Sequence, residues 1–138
     1  MGRGEGEGWS RRSRMIRKLL HVRYRVNDLE ITVAFYRDVL GLELSRRSKS
    51  GRGSELAFFR MPGSDTEIEI CRYPASGPVT VCPDLTHLAL EVADLDTFEA
   101  HLRKHGTGFS DGPHGEKGKG RMAFVDGPEG YEFEIIER

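Results

Sequence analysis

The chain is 138 residues long, 37% hydrophobic and 31% charged, with a formal net charge of −1. That length favours one domain, or two small units sharing a core, and the balanced charge argues against a general nucleic-acid binder. No apolar run approaches the roughly 20 residues needed to cross a bilayer, so a cytoplasmic protein is the expectation.

Residues 1–14, MGRGEGEGWSRRSR, are dominated by Gly and charge around the apolar anchor Trp9. That composition predicts a disordered tail without the apolar stretch of a secretory signal. A single folded domain is expected over 15–138. Residues 19–26 alternate as a strand does. Asn27 or Asp28 then suits a helix N-cap, and Val33, Tyr36, Val39 and Leu40 fall at helical spacing up to a stop at Gly41. Segments 42–48, 54–61 and 66–73 read as three strands, the last two joined across Pro62-Gly63-Ser64-Asp65. A linker rich in Pro and small residues follows over 74–84.

The pattern then starts again. His87–Val92 reads as a strand, and Asp96-x-x-Glu99 as a capping arrangement. A helix with Leu95, Phe98 and Leu102 inward should stop at Gly106, with strands near 107–111, 120–126 and 131–137. The two copies align at nearly constant offset. His21-Val-Arg-Tyr-Arg-Val26 matches His87-Leu-Ala-Leu-Glu-Val92, and Ala57-Phe58 matches Ala123-Phe124, each displaced by 66. Glu69-Ile70 meets Glu134-Ile135 at 65, one residue having been lost from a turn. The expected fold is therefore α+β, two βαβββ modules over 19–73 and 85–137 forming a cupped mixed sheet.

His21 and His87 occupy one position of the repeat, and Glu69 and Glu134 another. Two imidazoles and two carboxylates suit a borderline divalent ion such as Zn²⁺, Ni²⁺ or Co²⁺. A lone strand His is more often a satisfied polar group, and Glu67 and Glu132 share the alternation of Glu69 and Glu134. Pattern alone leaves that choice of glutamate open. His101 and His105 lie one helical turn apart and read as surface histidines, and His114 as a loop residue. Cys71 and Cys82 are too few for a disulfide framework and read as small reduced hydrophobes, with a redox pair the minor alternative.

Several segments carry a resemblance: Leu20-His21 through Leu29, Phe35-Tyr36-Arg37-Asp38-Val39-Leu40-Gly41-Leu42, Thr86-His87-Leu88, and Asp126 through Pro128-Glu129-Gly130-Tyr131-Glu132-Phe133-Glu134. Across 19–137 the chain resembles glyoxalase I (lactoylglutathione lyase) of the vicinal oxygen chelate superfamily. The resemblance implies that His21, Glu69, His87 and Glu134 hold one divalent metal. It also implies a homodimer, in which small members commonly draw the first pair from one subunit and the second from the other; the sequence leaves open whether the pairs meet within one chain or across the dimer. The implied reaction isomerises the hemithioacetal of methylglyoxal and glutathione to S-lactoylglutathione, with Glu134 as base and Glu69 serving the opposite substrate hydrogen. Arg25 falls where an Arg binds a glutathione carboxylate, and Lys119 near a loop lysine that binds an anion. Tyr73 stands where many glyoxalases have an Asn, and an Arg before the second His is missing at Pro83 and Asp84. Both losses weaken glutathione specificity more than metal binding. The alternatives are a metal-dependent isomerase or transferase on another substrate, and a non-catalytic binder of the bleomycin-resistance kind.

Overall fold

Each copy of the repeat folds as β-α-β-β-β in the computed structural model, which describes residues 15–138; the expected tail, 1–14, lies outside the described residues. The first module runs β1 (His21–Val26), α1 (Leu29–Ala34), β2 (Glu43–Lys49), β3 (Glu55–Arg60) and β4 (Glu67–Arg72). The second runs β5 (His87–Val92), α2 (Leu95–Lys104), β6 (Asp111–His114), β7 (Met122–Asp126) and β8 (Glu132–Glu137). Each forms a four-stranded sheet, ordered β1-β4-β3-β2 and β5-β8-β7-β6. The first strand of a module lies parallel to its last, and the other pairings are antiparallel. Among the described residues no helix is long and apolar enough to cross a membrane.

The local elements depart from expectation in three places. The first helix does not run unbroken to Leu40: after Ala34 it widens into a π turn, Phe35–Val39, closed by Leu40 N–H on the Phe35 carbonyl at 3.0 Å. Asp28 caps its start by accepting from Ile31 N at 3.0 Å. The second helix is capped by Asp94, two residues before the expected Asp96, because Asp94 is the repeat mate of Asp28. Its carboxylate accepts from Asp96 N at 3.3 Å and from the Thr97 hydroxyl at 2.6 Å, while Glu99 pairs with Arg103. Finally, the strand expected near 107–111 forms at Asp111–His114, so His114 ends a strand and is not a loop residue. Residues 105–107 are still closing the helix onto Leu102 and Arg103. Pairing with β7 then imposes a strand on Asp-Gly-Pro-His, a sequence of low β propensity.

Alternation assigns one face of each sheet to a common core. Ala57, Phe59, Ile68 and Ile70 of the first module and Ala123, Val125, Phe133 and Ile135 of the second join Val33, Tyr36, Leu95 and Leu102 in one buried cluster. The π turn presents Phe35 and Tyr36 across the module boundary, their ring centroids 5.4 and 5.6 Å from that of Phe133. Such pairs contribute about 0.5–1.5 kcal/mol each beyond their buried area. Gly127 leaves room for that ring, since a Cβ there would stand 2.6 Å from Phe133 Cε2.

Polar contacts hold the same boundary. Glu129 sits at φ +64 in the turn before β8. Its carboxylate accepts from Asn27 N at 2.7 Å, Asn27 Nδ2 at 3.0 Å and Asp28 N at 2.8 Å. Tyr131 donates its hydroxyl to the Arg25 carbonyl at 2.6 Å. The Asn27 amide also exchanges hydrogen bonds of 3.0 and 2.8 Å with the Val79 backbone, so the linker is strapped to the end of β1.

Candidate metal centre

The residues that alternate away from the core carry the polar chemistry. On β1 these are His21, Arg23 and Arg25, and on β4 Glu67, Glu69 and Cys71. His21 Nε2 lies 3.3 Å from Glu69 Oε1, and the Glu69 side chain is only 3% exposed. Arg23 donates from Nε to the other oxygen, Oε2. Phe58, the β3 residue opposite Glu69, stands edge-on to the His21 ring at 6.3 Å between centroids.

The second module repeats this constellation with one omission. His87 Nε2 lies 3.0 Å from Glu134 Oε1, whose side chain is 21% exposed. Phe124, opposite Glu134, stands edge-on to His87 at 5.6 Å. Arg23 faces Glu69 in the strand register, and the residue facing Glu134 is Ala89. Among the described residues, only the first pair has a cation at its carboxylate.

Local packing separates Glu69 from Glu67. The β2–β3 register slips between Leu44 and Arg46, leaving Ser45 as a bulge. Bulges re-aim neighbouring side chains, and here Ser45 Oγ and Arg46 Nη1 reach Glu67 at 3.0 and 2.9 Å. Burial works to raise the Glu67 pKa, but these two partners outweigh it and hold the carboxyl below its usual range. Arg46 is itself stacked 3.8 Å over Phe58. Glu67 is committed to that cluster, and Glu69 is the carboxylate that stands with a histidine.

The two pairs are not brought together within one chain. Among the described residues no third His, Cys, Asp or Glu joins either pair in a metal-binding group. The cause is the alternation itself: both pairs sit on the sheet faces opposite those that build the shared core. Each pair offers one imidazole nitrogen and one carboxylate, half of a tetrahedral donor set for a borderline divalent ion or a third of an octahedral one. The residues fit such an ion as two halves.

The other expected site residues are placed as follows. Arg25 Nη1 donates to the carbonyls of Tyr73 at 3.3 Å and Gly77 at 2.7 Å, so it fastens the linker to β1. Lys119 is exposed, 3.7 Å from Glu116, and its neighbour Lys117 reaches Asp94 and Asp96 instead. His101 points Nε2 at the Val39 carbonyl, 2.9 Å away, and His105 points Nδ1 at the His101 carbonyl, 3.0 Å away. His101 braces the π turn against α2, and His105 closes back on the end of that helix. Cys71 is buried and Cys82 exposed, and neither is bonded to the other. Burial pushes the Cys71 thiol pKa up. An open cavity of about 240 Å³ lined by Leu29, Arg47, Ser48, Lys49, Glu55 and Leu56 shares no residue with either pair.

Sequence reasoning missed Arg23, Phe58 and Phe124. Strand parity places Arg23 beside His21, and the offset of 66 repeats the two phenylalanines; both signals are present in the sequence.

The profile of the Glyoxalase/Bleomycin resistance protein/Dioxygenase superfamily matches residues 18–135. A lactoylglutathione lyase of Salmonella typhimurium is 32% identical over 124 residues, 87% of this chain and 92% of the relative. Lactoylglutathione lyase GLX1 of Arabidopsis thaliana is 31% identical over 126 residues, 88% of this chain; the chain spans 44% of that relative's length. The solved structure of a trypanothione-dependent glyoxalase I from Leishmania major superposes with a TM-score of 0.69 at 28% identity, covering 88% of this chain and 87% of that one. With the duplicated βαβββ unit and paired His–Glu positions, these likenesses show that the chain belongs to the Glyoxalase/Bleomycin resistance protein/Dioxygenase superfamily.

Proposed function

We propose that this chain is a metal-dependent lyase of the glyoxalase I type. In this reading His21 and Glu69 of one copy and His87 and Glu134 of a second copy hold one Ni²⁺, Zn²⁺ or Co²⁺. The observation that carries it is the pair of equivalent His–Glu half-sites, each on the face turned away from the core. A divalent ion bound there supplies Lewis-acid stabilisation of the negative charge that develops on substrate oxygens.

The chain's own residues supply the proton chemistry. A hemithioacetal becomes a thioester when one carbon-bound proton leaves beside the carbonyl and one returns at the neighbouring carbon. Glu134 is part-exposed and among the described residues has only His87 for a partner, so its carboxylate is the one with room to take and return that proton. Glu69 is fixed on both oxygens by His21 and Arg23, and it faces the opposite substrate hydrogen. Phe58 and Phe124 stand edge-on to the two imidazoles.

Subunit complementation tests this reading. His21→Ala and His87→Ala each break every site of a homodimer. Mixed and re-equilibrated, half of the dimers gain one intact site of two, so activity and bound metal should return to about a quarter of wild type. A mixture as dead as its parents refutes the shared site. Arg25 favours a second reading of the substrate, because its guanidinium is engaged by the Tyr73 and Gly77 carbonyls. A substrate other than the glutathione adduct fits that arrangement, and turnover of methylglyoxal with and without glutathione and other thiols decides between them.

A further inference from the structure

The asymmetry between the half-sites has a chemical meaning. Glu69 is nearly inaccessible, so its charge is shielded from bulk water and needs a partner. His21 lies at Oε1 and the Arg23 guanidinium lies at Oε2. The strand register makes this specific: Arg23 is directly opposite Glu69, whereas Ala89 occupies the matching place opposite Glu134. Arg23 also keeps half of its side chain in solvent, so its charge is available on the site face rather than consumed in the core.

We propose that Arg23 is a placeholder cation: it neutralises Glu69 in the metal-free protein, keeps that half-site assembled, and weakens the hold on any metal that then shares the same carboxylate. The inference rests on the metal reading above and adds to it a positioning residue outside the four donors. Two effects act in one direction when Arg23 is removed. The repulsion between the guanidinium and an incoming divalent ion disappears. The carboxylate of Glu69 also loses its counter-ion, which raises the free energy of the empty protein more than that of the loaded one. Metal binding therefore tightens while the metal-free protein becomes less stable.

The test titrates Zn²⁺ and Ni²⁺ into chelator-stripped full-length protein by calorimetry, alongside thermal melts of the stripped and loaded forms. Arg23→Met should bind metal about tenfold or more tightly than wild type. Its stripped form should melt lower, and its rise in Tm on loading should be larger. Arg23→Lys restores a cation opposite Glu69 and should return affinity to within about threefold of wild type. In a Glu69→Gln background the Arg23→Met change should tighten binding by less than it does in wild type, because only the guanidinium–metal repulsion is left to remove; a purely structural role for Arg23 does not predict that dependence on Glu69. Equal affinity of wild type and Arg23→Met overturns the placeholder role and leaves the metal reading standing. If neither wild type nor any variant binds stoichiometric metal, both fall, and Arg23 is only the ion-pair partner of Glu69.

Discussion

Truncating Phe133 to alanine tests the claim that the modules share a single core. The ring is fully buried, it meets Phe35 and Tyr36 from the other module, and it precedes Glu134 on β8. A Phe→Ala change in such a place costs about 3–5 kcal/mol, cavity included. Unfolding entropy of about 2.1 cal/mol/K per residue gives roughly 0.26 kcal/mol/K for a domain of this size, so a loss of about 4 kcal/mol lowers Tm by about 15 °C. Differential scanning calorimetry should show one transition moved down by that amount, with both modules melting together. Below the new Tm the His87–Glu134 pair is on the opposite face, so metal content per chain should be unchanged. A loss under about 1 kcal/mol, or two separate transitions of which only one moves, refutes the shared core.

Three further outcomes follow from the same contacts. Gly127→Ala drives a methyl group into the Phe133 ring and should cost about 1–3 kcal/mol by overpacking, read as a lowered urea midpoint; a neutral result would show that the ring shifts freely. Glu134→Gln should keep the fold and the melting curve yet lose most turnover, and undiminished activity would remove that residue from the mechanism. Glu137 is held below the usual carboxylate range by Arg121 and by the Leu95 and Gly118 amides. A depressed carboxylate adds stability that is present above its unfolded pKa, about 4.3, and is lost as pH falls through the lower folded value. The deficit of Glu137→Gln relative to wild type should therefore be greatest near neutrality and shrink below about pH 4; a deficit constant from pH 3 to 7 contradicts that origin.

Much of this molecule was legible because its sequence says everything twice. The offset of 66 located both modules, the alternation placed core and site residues on opposite faces, and the His and Glu positions recurred as symmetry mates. What stayed hidden depends on contacts distant in sequence. The π turn at Phe35–Val39 sets its aromatic rings against Phe133, a contact distant in sequence, and helical periodicity does not record that widening. That Glu69 rather than Glu67 stands beside His21 goes with the Ser45 bulge, where Ser45 and Arg46 bind Glu67. β6 formed where β7 offered partners, against the propensity of its own residues. Which carbonyls Arg25 meets is visible only once the linker is folded.

The opposed faces of each sheet answer to different constraints. The apolar residues of the shared core point one way, and the two His–Glu pairs point the other. A substitution at position 23 or 89 can redraw the charge of the site without touching the aromatic contacts that keep the chain folded. The duplicated sheet is thus a scaffold on which the two halves can drift apart in role while remaining alike in shape.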